Sequence, residues 1–143
     1  MTLNALLLLF AVAGVTTLVI YLRRSVSGHE FDALLAQRGA TATICTRAEL
    51  IDGRNHIPVA LALRSSEVSY ENPDLHGSLD IARIDEVEYA SDLMTGGIAT
   101  GAVLRLRSHG RAFEFILDLA SAEKWSRQLP PHRMGEPGTV HAI

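Results

Sequence analysis

Four patterns of apolar and polar positions follow one another along the chain. From Leu3 to Leu22 the run LNALLLLFAVAGVTTLVIYL carries no charge in twenty positions. At about 1.5 Å per helical residue this length matches a hydrocarbon core of about 30 Å, which predicts a transmembrane helix. SGHEFDALLAQRG then has helical spacing: Ser27 and Glu30 stand as a capping box, Phe31, Leu34 and Leu35 share one face, and Gly39 marks a stop. From Thr41 the period falls to two, and near the C-terminus it returns to that of a helix.

TATICTRAEL, IDGRN and HIPVALALRS read as a hairpin. A two-residue turn at Asp52-Gly53 would pair Ala48 with Ile57, Thr46 with Val59 and Ile44 with Leu61, leaving Thr43, Arg47 and Glu49 on the opposite face. A second turn at Ser65-Ser66 pairs Leu63 with Val68 and Leu61 with Tyr70. NPDLHG is a turn by composition, SLDIARI and VEYA are strands, and a bend near Asp85 separates them. Residues 91–101, SDLMTGGIATG, hold three glycines without strand alternation and read as a loop. In AVLRLRSHGRAFEFILD a turn at His109-Gly110 pairs Leu106 with Phe113 and Leu104 with Phe115 on one face, and Arg105 with Glu114 on the other. A slip of one residue would reverse every placement.

LDLASAEKWSRQLPP closes the pattern and holds the only tryptophan. Ala122, Trp125 and Leu129 form a stripe, Asp118 or Ser121 supplies the cap, and Pro130-Pro131 force the end. So short a helix is marginal alone and needs packing, with Trp125 as its anchor. HRMGEPGTVHAI, 132–143, shows no period.

Roughly seven antiparallel strands ending in AEKWSRQL, with VALALRSSEVSYEN as second and third strands, resemble a pleckstrin-homology-like domain of the PH or GRAM kind over 41–129. The resemblance implies a mainly β fold, a partly open antiparallel barrel with one C-terminal helix plugging its open end, and binding or scaffolding in place of catalysis. Phosphoinositide-binding members carry a basic motif across the first hairpin. The matching positions here are Arg47, Arg54 and His56, interrupted by Glu49 and Asp52 and without a lysine.

Charge and chemistry narrow the picture. Arg23-Arg24 directly follow the apolar span and no Lys or Arg precedes it, so the positive-inside rule puts the N-terminus outside and the following domain in the cytoplasm, at the inner membrane. Ala11-Val12-Ala13 has the form of a signal cleavage site, but the apolar run continues past it to Tyr21, which favours an uncleaved anchor. Residues 25–143 hold 11 basic and 16 acidic residues, a difference of −5, and 67–92 hold eight acids against Arg83 alone. Such a surface repels phosphate backbones and excludes nucleic acid as a partner. Cys45, the only cysteine, cannot form an internal disulfide.

Candidate sites are few. Ser108-His109 sit at a hairpin tip with no acid to orient the imidazole, and the six histidines show no ligand spacing, so neither a catalytic site, a metal nor a cofactor is expected. TGGIATG lacks the G-K-[ST] ending of a phosphate loop. Leu93, Met94 and Ile98, beside it, are candidates for docking a partner or touching the bilayer, against the simpler account that they tuck back onto the barrel. Cys45 lies outward beside Ala60 and Ala62, small residues that leave room for another element, although a plain edge of the barrel is the simpler account. The expectation is thus an anchor over 1–24, a juxtamembrane helix over 25–40, a PH-like domain over 41–129 and a disordered tail over 130–143. Its function would be to bind another membrane-associated protein. Anionic-lipid binding through the first hairpin is the alternative, and a membrane-tethered hydrolase a third.

Overall fold

Alternation with a period of two becomes strand wherever one face can be buried, and the chain does this repeatedly from Ile44 onward. The computed structural model describes residues 28–134. Its elements are helix α1 (28–39), strands β1 (Ile44–Asp52), β2 (Asn55–Leu63), β3 (Glu67–Asn72) and β4 (Leu75–Asp80), a single 3-10 turn (Ile81–Arg83), β5 (Ile84–Asp92), β6 (Ile98–Ser108), β7 (Arg111–Leu117), helix α2 (Leu119–Gln128) and a short β8 (His132–Arg133). The expected span 3–22, the capping residue Ser27 and residues 135–143 lie outside the described residues. Among the described residues no helix is long and apolar enough to cross a membrane.

All strands join one antiparallel sheet of order β4-β3-β2-β1-β7-β6-β5-β8. Two meanders meet where β1 pairs β7, and that junction is short, Glu49 to Ile51 against Glu114 to Ile116, whereas β1 pairs β2 along its whole length. Tyr70 of β3 nevertheless meets Phe113 and Phe115 of β7, with ring centroids 6.2 and 5.4 Å away across two intervening strands. The sheet must therefore fold over on itself. Gly77, opposite Tyr70, makes room for the ring, since a Cβ there would lie 2.3 Å from it. The edges β4 and β8 stay unpaired with each other, so the sheet is not closed into a barrel.

Inward residues of both meanders share one core: Val59, Leu61, Val68, Leu104, Leu106 and Phe115 with Ala122, Trp125 and Leu129 of α2. Trp125 is 0% exposed, and its indole Nε1 donates to Thr46 Oγ1 at 2.9 Å, so the one polar atom of the ring is satisfied. Asp118 caps α2 by accepting from the Ser121 amide at 2.8 Å, and the Tyr89 hydroxyl donates to the Leu129 carbonyl at the other end.

The expected pairings of β2 with β3 and of β6 with β7 hold residue for residue. The His109-Gly110 turn has positive φ at both residues, as a two-residue type I′ hairpin requires. The first hairpin differs. Its turn is Gly53-Arg54, and Ala48 faces Val59, Thr46 faces Leu61 and Ile44 faces Leu63. Gly53, with φ 61°, takes the first central position, so Asp52 need not adopt a left-handed conformation. Moving the turn by one residue moves the pairing by two, and every side chain keeps its expected face.

Three further segments depart from expectation. Leu75–Gly77, expected in a turn, open β4, and Ile81–Arg83, expected in a strand, form the 3-10 turn. The loop over 91–101 shrinks to 93–97, because β5 runs to Asp92 and pairs with Ile98; ladder bonds need no apolar alternation, so Gly, Ala and Thr hid the strand. The bend at Asp85 is a register shift between Ile84 and Glu86. The patternless segment from 130 contributes β8 on β5, with the Met134 amide bound to the Asp85 carbonyl.

Candidate binding surfaces

Each hairpin presents its odd-numbered or even-numbered residues outward, and the outer face of β1 to β3 is where the basic candidates fall. That face carries Cys45, Arg47, Ala60, Ala62, Ser69 and Glu71, and Ala60 and Ala62 are almost fully buried. Helix α1 covers them. Arg38 grips both oxygens of Glu71, one bond through Nη2 at 3.0 Å, and Glu71 also meets His76 Nδ1 at 3.2 Å. Arg47 Nη2 reaches Asp32 at 2.9 Å while its guanidinium lies 4.8 Å from the Phe31 ring centroid. The Cys45 thiol lies 4.0 Å from the Leu35 carbonyl. Small side chains at 60 and 62 thus admit a helix, and this face is not the plain barrel edge that was the simpler expectation.

The electrostatics follow from that cover. Burial acts to raise the Glu71 carboxyl, but the bonds from Arg38 and His76 outweigh it and hold the group below the ordinary carboxylate range. Burial, and then the Glu71 charge, push the Cys45 thiol up, away from the reactive thiolate.

Arg47, Arg54 and His56 do not converge. Arg47 is committed to Asp32, His56 Nδ1 sits 2.9 Å from Glu49, and Arg54 is exposed in the turn. The sequence showed Glu49 and Asp52 as interruptions; the effective neutraliser of Arg47 is Asp32, from an element outside the hairpin. No pattern within the hairpin signals that pairing.

The outer face of the second meander buries charge. Arg105 donates to Glu114 at 2.9 Å and to Glu88 at 2.7 Å, and its side chain is 9% exposed against 6% for Glu114. The 93–97 turn folds over this pair, the Met94 amide donating to Glu114 and Arg105 donating to the Asp92 carbonyl. Burial acts to lower the Arg105 pKa, and the two carboxylates more than reverse it.

That turn separates the three apolar candidates. Leu93 is buried against Val103 and Ile116, so it is structural and leaves the docking set. Met94 is 55% and Ile98 91% exposed, and Leu119, at the start of α2, is 75% exposed. Leu119 escaped the sequence reading because the stripe of Ala122, Trp125 and Leu129 drew attention to the opposite helix face.

Ser108 and His109 touch, Oγ to Nδ1 at 3.0 Å. The hydroxyl, however, donates to the Arg83 carbonyl at 2.7 Å, and no acid is bonded to the imidazole among the described residues. Nor do those residues include three or more His, Cys, Asp or Glu grouped to hold a metal.

Two open clefts flank Arg47 and Pro58. One, of about 540 Å³, is lined by the start of α1 (Gly28, Glu30, Phe31) and the β3–β4 turn (Asn72, Pro73, Asp74). The other, of about 400 Å³, is lined on its far side by Thr100, Gly101 and Asp118. Neither a protein-family model nor a curated protein matches this chain.

Proposed function

We propose that the chain is a membrane-anchored, PH-like module whose cytoplasmic domain binds another membrane-associated protein. The anchor is the uncharged run 3–22, oriented by Arg23-Arg24. A PH-like reading draws support from two meanders folded over one core with a C-terminal helix whose tryptophan fills the space between them. Tethering confines the module to the membrane surface and raises its effective concentration near partners there, so modest contacts suffice.

The observation that carries the protein-binding reading is the cleft beside α1. It mixes Phe31, Pro58 and Pro73 with Glu30, Arg47 and Asp74, apolar surface with both signs of charge, which suits a peptide better than a headgroup. A photo-crosslinking residue at Asp74 of the full chain, irradiated in native membranes, is expected to give one discrete protein adduct that disappears with Phe31→Asp. Adducts with lipid alone would overturn the reading. Anionic-lipid binding retains one favourable observation, the exposed Arg54; it predicts salt-sensitive liposome binding lost in Arg54→Ala.

A further inference from the structure

The two edges of the sheet differ in how they are guarded. At one, β5 carries β8 on Glu86 and Val87, and its own ladder with β6 shifts register twice. Added cover and irregular pairing are how edge strands turn away further partners. At the other, β4 pairs β3 from Leu75 to Asp80 without a shift, holds no proline or lysine, and has no second neighbour among the described residues. One bond fixes the direction of its free groups. The Ile81 amide donates to the Ser66 carbonyl at 2.9 Å, one residue outside the Glu67–Asp80 pair on each strand, which makes that pair a non-hydrogen-bonded one. Alternation then points the backbone of Leu79 and Gly77 at β3 and that of Ser78 and His76 at the open side.

Open backbone groups along an edge call for a strand, and β4 of a second copy fits in one register. Two antiparallel copies keep their core faces on the same side only if residues with both odd or both even numbers face each other. Centred on Gly77, Asp80 would face the partner's Asp74, a like charge. Centred on Ser78, Asp80 faces the partner's His76, Leu79 faces the partner's Gly77, and the open groups of the two Ser78 residues oppose each other directly. Centres nearer either end of β4 shorten the overlap. His76 Nδ1 stands 3.2 Å from Glu71, so Nε2 remains for the partner's carboxylate, and the side chains of His76 and Asp80 are 69% and 53% exposed. We infer that two copies of the chain pair β4 to β4, antiparallel about a two-fold axis at Ser78, and so extend one sheet across both. This surface is separate from the cleft beside α1, and the pairing does not depend on the anchored reading.

The test uses the full chain in detergent, with Cys45→Ser and a single cysteine at 76, 78, 80 or, as the reference for random collision, 54. Opposed Ser78 Cα atoms would lie about 5.5 Å apart, within disulfide range, whereas the two copies of residue 76 would stand about 14 Å apart. Under a mild oxidant Ser78→Cys is expected to form covalent dimers about ten-fold faster than His76→Cys, Asp80→Cys or Arg54→Cys alone, and a mixture of His76→Cys with Asp80→Cys should give the mixed dimer at a rate close to that of Ser78→Cys. Ser78→Pro removes an amide hydrogen that points to the open side and not to β3. Placed in both members of that mixture, it should slow the mixed dimer about ten-fold while the near-UV circular dichroism of Trp125 stays native. Bridging at 78 no faster than at 54 overturns the pairing, as does a mixed dimer indifferent to Ser78→Pro. Fast bridging of His76→Cys with itself also overturns it, by placing the axis elsewhere.

Discussion

The two meanders hide their outer faces by opposite means. Residues β1 to β3 present alanines, a serine and one carboxylate, and are covered by α1, a separate helix joined through 40–43 and held by Arg38 on Glu71 and Arg47 on Asp32. Strands β5 to β7 bury a whole ion pair, Arg105 with Glu114, beneath their own 93–97 turn. A turn inside a hairpin cannot leave its strands while the ladder holds. A flanking helix can, because it stands outside the hydrogen-bonded ladder. The second cover is part of the sheet itself; the first is a separate helix, docked next to the cleft proposed for partner binding.

What both halves share should matter most. Trp125→Ala removes the side chain that joins them and leaves Thr46 without its donor; a loss of ~3–5 kcal/mol is expected, read by circular dichroism during urea unfolding of the full chain in detergent. Next comes Arg105→Ala, which strands the Glu114 carboxylate in a nearly dry site and should remove ~3–5 kcal/mol by the same assay. Arg105→Met with Glu114→Leu, which removes both charges, should be neutral or stabilising. If the single and double variants were equally unstable, the ion pair would not be the reason the turn stays closed.

Glu71→Gln tests separability. Unfolding should change by no more than about 1–3 kcal/mol. Cys45, the only cysteine and partly covered by α1, should react with a maleimide several-fold faster, while Arg105→Met with Glu114→Leu leaves that rate unchanged. The pH dependence has a definite sign. Because the folded state holds Glu71 below its ordinary value of 4.5, its contribution is complete above that value and is lost as pH falls through the folded-state one. Thiol labelling at equal thiolate concentration should accelerate on acidification below 4.5 in the native chain and stay flat in Glu71→Gln. The smallest effect belongs to Asp32→Asn: its pair with Arg47 is solvent-exposed at both ends, so stability should move by less than ~1 kcal/mol.

Much of this was legible before any coordinates. Period-two alternation is a local property with a strict face rule, so Leu104, Leu106, Phe113 and Phe115 found both their strand and their partners from the turn between them. Even the misplaced first turn left Ala48 and Val59 facing inward, because its error was two residues. Failures gathered where side chains are small or where packing is remote. Gly, Ala and Thr in 98–101 carry no pattern, and β8 is a strand only because β5 offers it an edge.

By itself, the sequence determined most of the strands, the hairpin registers at Ser65-Ser66 and at His109-Gly110, the Trp125 stripe and the charge-free run at 3–22, since each depends on neighbours within a turn or a hairpin. Only the tertiary structure decided that the sheet folds far enough for Tyr70 to reach Phe115, that Arg47 is neutralised by Asp32, that Arg105 and Glu114 are buried, and that Leu93 turns in while Ile98 stays out. Those outcomes join residues distant in the chain, and desolvation, which sets their energies, depends on what covers a group and not on its position in the sequence.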